Sequence, residues 1–267
     1  MIKLIAIDLD DTLLNTDRHV SPRNREAIRA ARERGVMVTL ATGRMYQSAL
    51  PYAHELGLDV PLITYQGALI KTALTGEELF HRPIPLDAAL TITRMVEETP
   101  VQLNIYVDDE LYVSELTERG QSYASRVRVP IHPVGRLSQW LKKAPTKIVI
   151  VHDETTVAKI HSEIQSRLGD RVRLTCSWPH FLEISHPDAS KGQALAFFSQ
   201  TYGISSEEMM ACGDGENDLD MISYAGLGVV MGNGQERAKR VADYITKTND
   251  EDGVAEAIEK FVLKQEG

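Results

Sequence analysis

The sequence predicts an α/β fold: a doubly wound, Rossmann-like core built on a parallel sheet, with an inserted α+β cap domain. Three observations predict it. Short apolar runs rich in β-branched residues recur along the chain and read as strands buried on both faces. Between them lie stretches with helix start and stop signals, which gives the strand–helix rhythm of a parallel sheet. That rhythm breaks near residue 83 and resumes after 187. The expected organisation is therefore a core of 1–82 and 188–267, with 83–187 as the insertion.

The first strand, Lys3-Leu4-Ile5-Ala6-Ile7, ends in Asp8, Asp10 and Asp11. Residues i and i+2 of a strand share a face, so the pattern aims the Asp8 and Asp10 carboxylates into one space. Ser21-Pro22 starts a helix, with Ser as N-cap and Pro in the first turn, and Gly35 stops it. Val36–Ala41 reads as the second strand and runs into Thr42-Gly43-Arg44; a helix over about 45–56 follows, closed by Gly57. Leu62–Tyr65 reads as a third strand leading to Gln66-Gly67-Ala68.

Beyond Arg82-Pro83-Ile84-Pro85 a helix is expected over about 87–98. Strands follow at 101–107 and 111–113, joined by a turn at Asp108-Asp109. A strand at 147–152, a helix at 155–168 and strands at 172–176 and 181–186 complete the insertion. Hairpins mixed with helices suggest an antiparallel sheet; the stretch 114–145 carries no useful signal. After Pro187-Asp188-Ala189-Ser190, a helix opens at Lys191-Gly192 and ends near Gly203. The strand 209–212 runs into Gly213-Asp214-Gly215-Glu216-Asn217-Asp218; then come a helix to about 225, a strand over 227–231 and a closing helix from about 254.

Composition narrows the class. The chain has 267 residues, enough for one large domain or two ordinary ones, and 43% of them are apolar. A net charge of −9 argues against non-specific binding to nucleic acid or anionic membrane. No apolar run approaches the roughly 18 residues of a membrane span, and no basic-then-apolar leader is visible. Cys176 and Cys212 stand far apart without metal-ligand spacing, as expected for reduced, partly buried thiols of a cytoplasmic protein.

Ligands of open α/β sheets collect at the carboxyl ends of the strands. Those ends here carry Asp8 and Asp10, Thr42-Gly43, and Asp214 with Asn217 and Asp218. Lys191 opens a helix, where a cation is least expected because the helix end is itself partly positive. A lysine there suggests that it and the helix end face an anion together. Several carboxylates in one mouth are tolerable around a hard cation with oxygen ligands, Mg²⁺ before Ca²⁺. Lys191, the Thr42 hydroxyl and the backbone N–H groups near Leu9 and Gly43 would then suit phosphate oxygens.

The runs DLDDTLL at 8–14, ATGR at 41–44, SKG at 190–192 and GDGEND at 213–218 resemble the four motifs of the haloacid-dehalogenase superfamily of phosphohydrolases. The insertion between the second and third motifs, with FLEIS before its exit, resembles the Cof-type subfamily, and above all its bacterial sugar-phosphate phosphatases. The resemblance implies Asp8 as nucleophile and Asp10 as general acid and then base. It implies Mg²⁺ held by Asp8, the Asp10 carbonyl and Asp214, with Asp218 supporting through water. Leu9, Thr42, Gly43, Lys191 and Asn217 would bind the phosphate. Where the family usually has Asn-Gly-Ala, this chain has Gln66-Gly67-Ala68.

Substrate choice is then expected to lie with the cap, where Glu183, Asn104 and Tyr106 are candidate contacts, joined by Arg44 from the core. The expected partner is a small phosphorylated metabolite, sugar phosphates first, with neither nucleic acid nor membrane, for a monomer or homodimer. A phosphomutase would use the same nucleophile and acid. A phospho-receiver or metal-dependent binding module also places acids, Thr and Lys at strand ends, but is shorter and needs no general acid. No Gly-rich loop ending in Lys-Ser/Thr supports a P-loop hydrolase.

Overall fold

The computed structural model describes residues 1–127, 129–178 and 180–264. It divides into two compact units, Met1–Phe80 with Ser190 onward, and His81–Ala189. The first unit opens with β1 (Leu4–Ile7), all four residues of which are buried. Helix α1 (Pro22–Glu33) begins where Ser21 accepts a hydrogen bond from the Asn24 N–H, the N-cap the sequence called for. Strand β2 (Met37–Leu40) and helix α2 (Tyr46–Glu55) follow, then β3 (Pro61–Thr64), β4 (Leu69–Thr72) and β5 (Glu78–His81).

The inserted unit contains α3 (Leu86–Val96), β6 (Gln102–Val107), β7 (Glu110–Val113), α4 (Glu118–Val127) and β8 (Ile131–Pro133). It continues with α5 (Leu137–Trp140), β9 (Lys147–Val151), α6 (Glu154–Leu168), β10 (Arg173–Trp178) and β11 (Phe181–Ser185). The chain re-enters the first unit through α7 (Lys191–Tyr202), β12 (Met209–Gly213), α8 (Leu219–Tyr224) and β13 (Leu227–Val230). It ends in α9 (Glu236–Lys239), β14 (Tyr244–Ile245) and α10 (Gly253–Ile258).

Strands β14-β13-β12-β1-β2 form one parallel sheet with β1 paired between β12 and β2. The order reverses direction at β1, so the loops after β1 and β12 open side by side; crevices of this kind are where such sheets take ligands. Alternation sends Leu4 and Ala6 towards a core shared with Ala194, Leu195 and Phe198 of α7 and Met221 and Ile222 of α8. Ile5 and Ile7 face the other way. A buried Asn24 ties α1 to α10 by accepting from the Ala255 N–H at 2.8 Å.

The third strand differs from expectation. It meets β2 through one parallel bridge, Ala41 with Ile63, and through the Thr42 N–H on the Ile63 carbonyl at 2.9 Å. Its main partner is β4, antiparallel, in a three-stranded sheet β3-β4-β5 that the sequence reading did not contain. The strands of that sheet are four residues each, too short to show a period.

The inserted unit carries a six-stranded sheet in the order β10-β11-β9-β6-β7-β8, antiparallel except for β7 against β8. One face packs Leu103, Ile105, Ile148, Ile150, Leu182 and Ile184 against α3 and α6. The other face carries Asn104, paired across to Val149, which is paired in turn to Glu183. Helix α4, strand β8 and helix α5 fill the stretch that the sequence left blank. Of the two thiols, Cys212 is buried in β12, whereas Cys176 on β10 is exposed rather than partly buried, and both are free. No helix among the described residues is long and apolar enough to cross a membrane.

Candidate active site

The strand β1 stops at Ile7, and the acids follow in a single wide turn, Leu9–Leu13. Its hydrogen bonds span five residues, from the Leu13 N–H to the Asp8 carbonyl (3.2 Å) and from the Leu14 N–H to the Leu9 carbonyl (2.9 Å). Asp11 takes φ +57° to make the turn, and the buried Leu9 and Leu13 anchor it. Asp8 therefore stays at the strand end, 4% exposed, while Asp10 and Asp11 swing out to the surface. The alternation of a strand does not hold here: Asp10 is reached through the turn and is exposed where Asp8 is buried, yet its charge still acts on Asp8.

Lys191 is the centre of the arrangement. Its side chain is fully buried, and its Nζ donates to Asp8 Oδ1 at 2.5 Å and to Asp218 Oδ1 at 2.6 Å. The anion that the lysine meets is thus a pair of carboxylates from two other loops. Asp218 uses its second oxygen to accept the backbone N–H groups of Asp214 and Gly215, both at 3.0 Å, which closes the loop after β12. Gly213 permits that closure, since a Cβ there would fall 2.5 Å from the Asp218 Cβ. Asp214 accepts from the Thr12 hydroxyl at 3.1 Å. Thr12 lies inside the first acidic run, yet nothing in the spacing singled it out.

Oxygens of Asp8, Asp214 and Asp218 lie within 4.8 Å of one another. With Lys191 the only cation bonded to this trio among the described residues, the group holds more negative than positive charge when ionised. Burial pushes the Asp8 carboxyl well above its usual range, and the charges of Asp218 and Asp214 add to this against the pull of Lys191. Burial and then the Asp218 charge push Asp214 up to about 7. Burial would lower Lys191, but Asp218 and Asp8 hold its ammonium above the ordinary value. Three close carboxylates with hard oxygen donors, under-neutralised by one lysine, fit a small divalent cation.

Asp10 has a different partner. Arg44 grips it with both arms of its guanidinium, Nε to Oδ2 at 2.8 Å and Nη2 to Oδ1 at 2.5 Å. Arg44 is mostly buried and also lies over the Tyr52 ring at 5.1 Å. Burial would raise the Asp10 carboxyl, yet the hydrogen bonds and charge of Arg44 hold it below the usual range. Arg44 itself is raised, burial being outweighed by Asp10. A contact across 34 positions of sequence leaves no local signal.

Thr42 is buried, and its Oγ1 accepts the Arg44 N–H at 3.1 Å. Gly43 is pressed by Gln66, whose Nε2 would lie 2.4 Å from a Cβ there. Asn217 sits exposed in the loop after Asp214, its Oδ1 2.7 Å from where a Gly215 Cβ would be. Glu183 belongs to the other unit, where it accepts from Lys147 Nζ at 2.7 Å. Tyr106 shares that sheet and bonds Tyr123 through their hydroxyls at 2.8 Å. Asn104 is buried there, with its Nδ2 lacking a hydrogen-bond partner among the described residues.

Comparison with known proteins gives these groups a context. A family model described as haloacid dehalogenase-like hydrolase matches residues 5–258. The 5-amino-6-(5-phospho-D-ribitylamino)uracil phosphatase YcsE of Bacillus subtilis is 34% identical over 265 residues, covering 98% of this chain and 96% of that one. The pyridoxal phosphate phosphatase YbhA of Escherichia coli is 29% identical over 271 residues, covering 98% and 99%. A crystal structure of a haloacid dehalogenase-like hydrolase from Bacteroides thetaiotaomicron superposes with a TM-score of 0.91 at 33% identity, covering 97% of this chain and 99% of the other.

Proposed function

We propose, for a chain that belongs to the haloacid dehalogenase-like hydrolase family and is a phosphatase of it, that it hydrolyses small phosphorylated metabolites, sugar phosphates first, with Mg²⁺ and through an aspartyl-phosphate. The observation that carries this reading is the buried Asp8 at the end of β1, bonded to a buried lysine and facing two more carboxylates. The unit formed by 1–80 and 190 onward is the catalytic core, because every one of these groups belongs to it.

Asp8, Asp214 and Asp218, with the Asp10 carbonyl, would hold the cation, in a direct role for Asp218 that its closeness to the other two supports. Bound there, Mg²⁺ offsets the carboxylate charge and that of the phosphoryl oxygens. Asp8 attacks phosphorus, forming an Asp8–phosphorus bond as the bond to the leaving oxygen breaks. Lys191 meets the equatorial oxygens, and the Thr42 hydroxyl with the N–H groups of Leu9 and Gly43 completes the cradle. Asn217, exposed beside them, closes on the phosphate from the Asp214 loop.

Asp10 gives its proton to the leaving alkoxide and then removes one from the water that cleaves the aspartyl-phosphate. The grip of Arg44 keeps Asp10 ionised in this structure, which suits the second half of the cycle. For the first half that grip has to loosen.

Sugar phosphates lead the substrate panel, with pyridoxal phosphate and phosphoribityl compounds beside them because relatives are named for those. Phosphate release from such a panel with Mg²⁺, with chelator, and with Asp8→Asn tests the reading. Turnover that needs Mg²⁺ and disappears in Asp8→Asn is expected. Turnover that survives either change would overturn it.

A further inference from the structure

The turn Tyr65-Gln66-Gly67 is wedged between the two segments that would hold the phosphate. The Tyr65 N–H donates to the Arg44 carbonyl at 2.9 Å and the Gln66 N–H to the Thr42 carbonyl at 3.0 Å. On its other side, a Cβ at Gly67 would fall 2.1 Å from the Ser190 carbonyl oxygen, just ahead of Lys191. To fit, Tyr65 and Gln66 take φ +51° and +57°, a region side chains rarely adopt, and two in succession is a costly choice.

The result of that strain is the placement of one amide. The Gln66 carboxamide lies against Gly43, with Nε2 2.4 Å and Cδ 2.9 Å from the position of a Cβ. A side chain at 43 would displace the amide from this place. Yet Gln66 Oε1 is buried with no hydrogen-bond partner among the described residues. An amide kept to brace a loop normally has its buried atoms bonded, because an orphaned one costs the full desolvation of the group. Here a left-handed backbone and the bare Gly43 let Nε2 lie against the Thr42–Gly43 loop, and the amide keeps that place although its oxygen is unbonded.

We propose that Gln66 is a substrate-binding residue whose Nε2–H donates to a phosphoryl oxygen beside Thr42 and Gly43. The proposal rests on the phosphatase reading, which puts the phosphate at that loop. Phosphate offers only acceptors when doubly ionised, so the donor end is the one that must face it.

The test uses inorganic phosphate as the probe, with the full chain and Mg²⁺, comparing the native protein with Gln66→Leu and Gln66→Glu. The Leu side chain removes the donor and the orphaned oxygen together; Glu keeps the shape but substitutes a charge that repels phosphate. Loss of a hydrogen bond to a charged acceptor predicts that inhibition by phosphate and KM both weaken about ten-fold or more in each variant. In Gln66→Leu the melting temperature is expected to hold or rise, since replacing an unbonded polar group by an apolar one of similar shape is near neutral. If Gln66→Leu does not fold, Gln66→Glu decides by the same constants. Unchanged phosphate inhibition and KM in folded variants would overturn the proposal while leaving the phosphatase reading intact. If the native protein turns over no ester, the reading fails; phosphate that still raises its melting temperature but not that of Gln66→Leu would then support the Gln66 contact alone. Phosphate that stabilises neither overturns both.

Discussion

Replacing Asp214 by Asn is expected to stabilise the metal-free protein at the same time as it removes activity. Asp214 has an unfolded reference near 3.8 and is pushed up to about 7 by burial and the Asp218 charge. The folded state therefore holds this proton more tightly than the unfolded chain does. Ionising Asp214 then works against folding: nothing is lost below about pH 4, the loss grows between about 4 and 7, and it is complete above about 7. From 3.8 to about 7 is roughly three pH units, and at about 1.36 kcal/mol per unit the loss is on the order of 4 kcal/mol. Asn carries no charge and keeps an oxygen for the Thr12 hydroxyl, so the packing is retained. Urea unfolding with chelator at pH 4 and pH 8 measures the effect. The two proteins should be close at pH 4, and the variant more stable by several kcal/mol at pH 8 with an unchanged m-value. Mg²⁺ added at pH 8 should recover stability in the native protein and little in the variant. A variant no more stable than the native protein at pH 8, or stabilised equally at both pH values, would refute the charge argument.

Lys191→Met should act in the opposite direction, because it leaves Asp8 and Asp218 buried without their shared cation. A loss of about 3–5 kcal/mol in chelator, read from chemical unfolding at pH 7, is the expected cost of stripping a buried charge of its partner. The inserted unit offers a pH test far from these groups. Asp153 caps α6, accepting the Thr156 N–H at 3.0 Å and its hydroxyl at 2.8 Å, and those bonds hold its carboxyl down to about 2. Its folded value lies below the unfolded one, so the cap stabilises fully above about pH 4 and fades as the pH falls towards 2. Asp153→Ala should lower the melting temperature at pH 7, and the gap should close as melts are repeated down to about pH 2; a gap independent of pH would count against the cap.

The parts of this molecule legible in its sequence are those where local chemistry and fold agree. The run ending at Asp8, the Ser21-Pro22 start and the Gly203 stop each encode their own neighbourhood, and the structure has β1, α1 and α7 at those places. What stayed hidden is of two kinds. The hairpin of β4 and β5 and the elements between 114 and 145 are too short for a period to emerge, so tertiary contacts decide them. The grip of Arg44 on Asp10, and of Thr12 on Asp214, join residues 34 and 202 positions apart, and no spacing rule reaches that far.

A third group is more informative, because there the sequence is locally wrong and the structure keeps it so. A lysine opens α7 where an acid belongs, and it is among the most deeply buried side chains of the protein. Asp11, Tyr65 and Gln66 occupy backbone conformations that glycine would take more cheaply. Each of these residues belongs to a loop at the carboxyl ends of the parallel strands or to the turn pressed on one. Stability alone would favour an apolar residue at 191 over a charge needing two buried partners, and glycine at 65 and 66. Left-handed backbone also occurs in turns elsewhere, at Arg18, Asp108, Asp109 and Asp252, so it is the lysine buried between two carboxylates that marks this end of the sheet as selected for chemistry rather than for folding, independently of any motif.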